Sequence, residues 1–561
     1  MCNPRRGVDN ILPDLTEIGQ SNREYSNIAM HIARHLASCL EDEIRQVVEV
    51  VRQLQLQARA SLEAKHQLLS AEDKLECLKK QLHECKSVFA PHKKLPADVL
   101  QYIFLLCAKG AKIKIPLRSR YWHPIPMVLS HTCASWRSVA LATPSLWTNL
   151  EVSHFTCHAP RLLAVKDVLS RVKFAPLSLS VFQNFPEYTG YILDNDLAAF
   201  VDTLQRQLLA PYRIQKLSLT FGLGYSDPNS ATFTMGKVQK ILSMSLPDLQ
   251  ILQFAMCDWP FTWGVSELAE FLNRHESINE GSALGGLPSL KELDLDCHAH
   301  FYKGVHRYIR WEQLRTLSFQ QISISWALAI LSQCRCLEAF AVFQLTAYTQ
   351  EEFAPAPLVQ DILISLPHMH RLRLSISHLN NEAIRRFLSP LAFPNLKYLL
   401  YSAPHEPDKT TWPYQYDPLI YERLQLNTLQ ELRVSGNFCL PLTTWKEACA
   451  LRRLRVCIPQ LNDEDASDIA SGILFPLLED VYMERPRPSV EDPAPFFRMI
   501  EGRQKRAREA IYGEGVEGSK PVSPFKRVGF RCTEEYLETY KNQIDILRNG
   551  GCELDIDMVL V

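Results

Sequence analysis

The residue types that ligate metals or attack substrates come closest together in LDLDCHAH (293–300), where Asp294, Asp296, Cys297, His298 and His300 fall within seven positions. Carboxylate, thiolate and imidazole in such density are the donors a zinc ion takes. Cys334-Arg-Cys336 is the other short-range pair. A protein-closed zinc site needs a second ligand pair at zinc-finger spacing, and neither group has one, so ordinary loop residues are the expectation and no metal is assigned. Phosphate-binding Gly-rich loops, G-x-S-x-G elbows, H-E-x-x-H and paired C-x-x-C are all missing from the sequence. With no nucleophile, base or cofactor constellation to position, the chain reads as a non-enzyme that uses no cofactor.

Its bulk properties point the same way. The 561 residues carry 61 Lys and Arg against 62 Asp and Glu. No overall field draws such a chain to nucleic acid or to anionic membrane, so recognition has to be local. No run approaches the roughly 18 apolar residues of a membrane span, and MCNPRRGVDNILPDLTEIGQ lacks a signal-peptide apolar core. The 16 cysteines are scattered among apolar positions, as suits reduced thiols. A soluble protein of the cytoplasm, the nucleus or both is expected.

Three kinds of element must do the positioning. From Leu40 to about Phe89 there is neither Pro nor Gly, which favours one long helix. Leu40, Ile44, Val47, Val51, Leu54 and Ala58 form one seam, Ser61 and Lys65 interrupt it, and Leu68, Ala71, Leu75, Leu78, Leu82, Cys85 and Phe89 form a second, shifted seam. The seams suit either a coiled coil with a stutter, allowing self-association through 40–89, or a helical hairpin folded on the same chain.

Next, three short helices occupy about sixty residues. Pro96 and Asp98 open the first, with Val99, Leu100, Ile103, Phe104, Leu106 and Cys107 as its apolar face; 109–126 reads as a basic loop. Leu129, Cys133, Trp136 and Ala140 line one stripe of the second, and Thr143-Pro144 starts a third carrying Leu146, Trp147 and Leu150.

Beyond Glu151 a strand-like pattern recurs, as in PSLKELDLDC (288–297) and NTLQELRVSGN (427–437). Leu217, Leu252, Leu293, Leu317, Phe340, Leu372, Leu399, Leu432, Leu454 and Val481 mark successive copies, about 22 to 41 residues apart. Helical stretches such as 196–210 and 326–333 alternate with them. The pattern predicts an α/β array of irregular leucine-rich repeats, a horseshoe with a parallel sheet, against the alternative of a globular α/β domain. RPRPSVEDPAP (485–495) breaks the array; after it come a helix with the basic cluster 503–508, GEGVEG (513–518), a strand candidate near 528–532 and a helix over 534–548. The basic cluster reads as a solvated helix face or as an import signal.

LPADVLQYIF (95–104) followed by VLSHTCASWRSVALATPSLWTNL (128–150) resembles the F-box, whose usual form runs L-P-x-E-x-L-x-x-I-F, then C-x-x-W-R, then P-x-L-W. Asp98 stands where the family commonly has Glu. With a coiled coil before it and leucine-rich repeats after it, the arrangement is similar to the F-box proteins expanded in mushroom-forming fungi. The resulting division is a flexible tail (1–23), a long helix or coiled coil (24–91), an F-box-like domain (92–150), a leucine-rich-repeat-like domain (151–484) and a Pro-rich break with a C-terminal cap (485–561). The resemblance implies that Leu95, Pro96, Val99, Leu100, Ile103, Leu129, Cys133, Trp136 and Val139 divide between the module's own core and a groove for a Skp-type adaptor. Through that adaptor such proteins join a cullin-based ubiquitin ligase as the substrate receptor, with the repeats holding an unknown protein substrate. The competing expectation is an interaction scaffold with no ubiquitin role.

Overall fold

The computed structural model describes residues 27–57, 61–87, 95–115, 124–153, 159–185, 202–223, 245–257, 287–296, 309–346, 363–375, 381–402, 425–435, 442–457, 463–484, 494–512, 522–532, 538, 540–549 and 552–558. The chain is mixed α/β and divides into two compact units, 1–179 and 180–561. Among the described residues no helix is long and apolar enough to cross a membrane.

The first unit opens with helices α1 (Asn27–Gln57) and α2 (Leu62–Ser87). The single helix expected over 40–89 is therefore corrected to two. Of the two residues where the seam lapsed, Ser61 immediately precedes α2 and Lys65 lies in its first turn. Ala37, Leu40, Val47 and Val51 are buried with Leu78 and Cys85 in one cluster, and Ile44, Leu68, Ala71, Leu75 and Leu82 pack against it. The two seams thus face each other within the chain. Ion pairs Lys86–Glu41 (2.7 Å) and Lys74–Glu43 (2.9 Å) run in opposite chain order, as antiparallel helices require. Ala58 and Phe89 lie outside the described residues.

Helix α3 (Ala97–Cys107) follows, with Pro96 at the N-cap and Asp98 in the first turn, where the helix dipole favours a carboxylate. Gly110 takes a left-handed φ of 76°, a conformation glycine adopts without steric cost, and turns the chain back. It leads into strand β1 (Ile113–Ile115), so the expected loop over 109–126 contains a strand. Helices α4 (Ile125–Thr132) and α5 (Ala134–Leu141), a 3-10 turn (Pro144–Trp147) and β2 (Asn149–Ser153) complete the module.

β1 pairs in parallel with β2, Ile113 opposite Leu150. Ile113, Ile115, Leu150 and Val152 turn inward. The basic residues of this stretch turn outward, Lys112 and Lys114 lying 3.0 and 3.4 Å from the Glu151 carboxylate. Partial burial by itself raises the Glu151 pKa, but the Lys112 hydrogen bond and the two positive charges outweigh it and hold the carboxyl below its ordinary range. A carboxylate lowered on folding stabilises the fold at pH values above its unfolded pKa, and that contribution is lost as pH falls through the folded value. Thermal melts of wild type should therefore lose more between about pH 5 and pH 3 than melts of Glu151→Gln. Parallel pH profiles would refute this.

Helix α6 (Ala159–Val172) buries Val165, Val168, Leu169 and Val172, and β3 (Leu177–Phe185) spans the boundary between units.

The second unit carries β4 (Ile214–Leu223), β5 (Ile251–Cys257), β6 (Glu292–Asp296), β7 (Thr316–Ser323), β8 (Ala339–Thr346), β9 (Ile364–Ser365), β10 (Arg371–Ser375), β11 (Leu391–Ala392), β12 (Tyr398–Ser402), β13 (Glu431–Ser435), β14 (Arg453–Cys457), β15 (Asp480–Glu484), β16 (Arg527–Cys532) and β17 (Glu553–Met558). β9 and β11 pair only with each other; the remaining strands form a parallel sheet in chain order. Its register is uniform. Leu217 stands opposite Leu252, then come Leu293, Leu317, Phe340, Leu372, Leu399, Leu432, Leu454 and Val481. All ten are at most 4 % exposed, so one rung of the ladder runs through the core. Three residues before most of these markers an apolar side chain is buried again, and its amide closes a turn, as in Leu249 N to Leu246 O (3.1 Å) and Leu478 N to Phe475 O (3.0 Å).

Between strands lie short helices. Over 196–210 the structure describes 202–210, a π-helical turn burying Leu204, Leu208 and Leu209. Helix α7 (Ile324–Leu331) is capped by Ser323 and buries Ala327, Ile330 and Leu331, with Leu328 only half-buried. Helices α8 (Asn381–Leu388), α9 (Asp463–Ser471), α10 (Ala494–Tyr512) and α11 (Lys541–Asn549) are the others among the described residues; of the predicted helix over 534–548, residues 534–537 and 539 lie outside them.

The Pro-rich segment does not end the sheet. β16 pairs with β15, Val528 opposite Val481, and β17 pairs with β16, Leu554 opposite Val528. Phe525, Val528 and Phe530 are buried at the same spacing as the earlier repeats. In the basic cluster only Arg503 departs from a solvated face: it is fully buried, whereas Lys505, Arg506 and Arg508 are exposed, with Arg506 Nη1 donating to the Ser471 carbonyl. Residues 513–518 and most of the Pro-rich run lie outside the described residues.

Candidate docking site

Of the metal-ligand candidates, Asp294 and Asp296 lie on β6, while Cys297, His298 and His300 fall outside the described residues. Burial and then the Asp294 charge raise the Asp296 pKa. Cys334 is buried and Cys336 exposed, so the two do not share an environment. Burial, with the nearby Glu312 charge, pushes the Cys334 thiol up to about 12, which keeps it protonated and poorly suited to metal or nucleophilic work. Among the described residues no group of three or more His, Cys, Asp and Glu could hold a metal ion.

The module spanning 95–150 is more informative. α3 is apolar on two sides. Leu100 and Phe104, four apart, are buried, and Phe104 packs its ring 5.0 Å from that of Trp136 on α5. Val99, Tyr102, Ile103 and Leu106, spaced at three and four, share the other side and are exposed by 39, 64, 37 and 54 %. Leu95 is half-buried and Pro96 exposed at the head of the helix.

The expected second helix is broken in two. Ser130 Oγ donates to the Met127 carbonyl (2.8 Å) and Thr132 Oγ1 to that of Val128 (3.0 Å), bonds that compete with continuation of the helix. Cys133 then goes extended (φ −161°, ψ 171°), and its Sγ accepts the Trp136 amide as an N-cap at 3.4 Å. The stripe Leu129, Cys133, Trp136, Ala140 is thereby corrected to residues of two helices. Leu129 and Ala140 are buried; Cys133, Trp136 and Val139 are half-buried.

Thr143 does not cap the 3-10 turn after it. Its Oγ1 donates back to the Val139 carbonyl (2.7 Å), closing α5, while Trp147 Nε1 donates to the Ala140 carbonyl (2.9 Å). Trp147 is wholly buried, with the Arg171 guanidinium 4.4 Å above its ring.

No protein-family model matches the chain. No curated protein matches it either.

Of the nine residues singled out from sequence, Leu100 and Leu129 turn inward, Pro96, Val99 and Ile103 turn outward, and Leu95, Cys133, Trp136 and Val139 sit between. Tyr102, Ile125 and Val128 were not among them, yet each is exposed. The i, i+3 spacing of Val99 and Tyr102 carried a signal for the first; the other two lie on α4, a separate helix because the chain breaks at Cys133. Exposed apolar side chains ranged along one face mark a surface fit for a protein partner.

Proposed function

We propose that the chain is the substrate receptor of a Skp–cullin–F-box type ubiquitin ligase: the module 95–150 is an F-box docking a Skp-type adaptor, and the strands beyond it form a leucine-rich solenoid whose concave face holds a substrate protein. The outward stripe Val99, Tyr102, Ile103, Leu106 carries this reading, because α3 spends Leu100 and Phe104 on its own core and still presents a second apolar side. Helices of 8 to 11 residues bury little surface alone, so a partner laid on that stripe adds stability. Resemblance of LPADVLQYIF and CASWRSVALATPSLW to the family motif supports it. The uniform register supports the solenoid, since stacked repeats that each bury one face produce such a ladder.

A scaffold built by self-association through 40–89 has less behind it, since Leu40, Val47, Val51, Leu78 and Cys85 already pack on one another.

The test is co-purification of the full chain with a recombinant Skp-type adaptor. Wild type should retain it; Val99→Asp/Ile103→Asp should lower retention at least tenfold, about 1.4 kcal/mol or more, with unchanged circular-dichroism melts because both sites are exposed. An adaptor that wild type does not retain, or that the double variant retains equally, sinks the reading.

A further inference from the structure

The face of the second unit's sheet that points away from the core is not evenly charged. On β10, β12, β13 and β14 the outward positions hold Arg371, Arg373, Arg433, Arg453 and Arg455 against one carboxylate, Glu431, which lies 3.0 Å from Arg453. One rung is continuous: Arg373 stands opposite Leu400, Leu400 opposite Arg433, Arg433 opposite Arg455, and Arg455 opposite Tyr482. With strands about 4.8 Å apart, Arg433 and Arg455 are immediate neighbours and Arg373 stands about 10 Å from Arg433 at the backbone.

Aromatic rings hold these planes. Arg373 lies 4.1 Å over Phe343, and Arg455 lies 4.1 Å over Tyr482. The Tyr482 ring in turn lies across Gly529, where a Cβ would collide with it. Arg371 and Arg453 both approach the Tyr398 ring, at 5.3 and 5.9 Å. Stacking orients a guanidinium and leaves its charge intact, so the order needed to receive an anion is already in place. The positive charges also oppose one another: burial, and then the Arg433 charge, lower the Arg373 pKa.

We infer that the rung Arg373–Arg433–Arg455, backed by Phe343 and Tyr482, is a binding site for a carboxylate-rich segment of a partner protein laid across strands β10 to β15. Bidentate guanidinium–carboxylate pairing supplies its affinity, and alternate acidic side chains of an extended segment, about 7 Å apart, fall within the span of the rung. A protein segment fits better than a nucleic acid strand, since Glu292, Asp294 and Asp296 on β6 and Asp480 on β15 place negative charge on the flanks of the same sheet face, where a longer polyanion would be repelled. This deepens the receptor reading by naming what the repeats take, and it is tested without the adaptor, so either can fail alone.

Fluorescence polarisation of a labelled ten-residue Glu/Asp peptide with the full chain is the measurement, beside the matched Gln/Asn peptide. Binding should prefer the acidic peptide, weaken with salt, and weaken about tenfold in Arg373→Gln and in Arg455→Gln. Circular-dichroism melts establish that the variants fold; the charge-reversed Arg373→Glu should weaken the acidic peptide further than Arg373→Gln does. Equal binding of acidic and amide peptides, unchanged affinity in both variants, or tighter binding of a single-stranded oligonucleotide at the same site would overturn the assignment.

Discussion

Replacing Arg503 with methionine should lower the unfolding free energy of the second unit by about 3–5 kcal/mol. Its guanidinium, on α10, is shut away from solvent and donates to four backbone carbonyls: Ser523 through Nε (2.8 Å), Ile469 through Nη1 (2.6 Å), and Phe475 and Pro476 through Nη2 (2.9 and 2.8 Å). Phe525 closes the site, its ring 5.1 Å from the guanidinium carbon. Burial pulls the Arg503 pKa down to about 10, still far enough above neutrality to keep the charge. Methionine fills much of the stem volume but takes a charge-assisted donor from each of four carbonyls, bonds worth about 1.5–3 kcal/mol each, although Ile469, Phe475 and Pro476 keep one backbone donor apiece from Gly472, Leu478 and Ser523. Lysine restores charge without the planar fork, so Arg503→Lys should recover only part of the loss. The exposed Arg498–Asp463 pair is the control: Arg498→Gln should change stability by less than about 1 kcal/mol. Urea titration followed by circular dichroism decides the matter, and a methionine variant within about 1 kcal/mol of wild type would show that the carbonyls find other donors.

Trp147→Ala should destabilise the first unit by about 3–5 kcal/mol, the usual cost of emptying a wholly buried indole site. The ring touches three elements of the module's frame. Its Nε1 closes the end of α5 through Ala140, Arg171 of α6 covers its face, and Leu146 and Leu150 are buried on either side of it in sequence. Trp147→Phe separates the contributions: it keeps most of the apolar surface and gives up one hydrogen bond, leaving the Ala140 carbonyl with the Thr143 amide alone, at about 0.5–1.5 kcal/mol. An alanine variant that melts with wild type would mean that the module's core lies elsewhere. Because Trp147 is buried, loss of adaptor in this variant would report unfolding; the exposed Val99 and Ile103 are the positions that test docking itself.

The repeats were readable because burial repeats at short range. In PSLKELDLDC, Leu290, Leu293 and Leu295 are all buried, and a spacing of three then two is preserved from strand to strand whatever length of chain intervenes. The strand near 528–532 was legible, but its place in the ladder as β16, and β17 altogether, escaped because their equivalents are Phe525, Val528 and Phe530, then Cys552 and Leu554, set beyond a Pro-rich run that resembles a terminus. The hairpin was half-legible. Both seams were visible, but a seam tells which residues meet an apolar surface and not whose surface it is. The break at Cys133 depends on hydroxyl bonds from Ser130 and Thr132, which leave no trace in apolar spacing. Arg503 is harder still: among Arg, Gln, Lys and Arg neighbours its burial follows from carbonyls supplied 20 to 34 residues away. On the candidate docking face, sequence could name the apolar residues of α3 but not sort Leu100 and Phe104 from Val99 and Ile103, because a helix apolar on two sides has no polar face to orient it.

In the second unit, strand pairs stand in chain order, and the ten marked rungs are joined over only about 22 to 41 residues. Each strand finds its template in the segment made just before it. A nascent chain leaving the ribosome can therefore add strands one at a time onto an already formed edge, with no wait for a distant partner and little loop entropy lost at each step. Lengthening the chain between two rungs slows only that addition, so such segments can change in length while the ladder keeps its register.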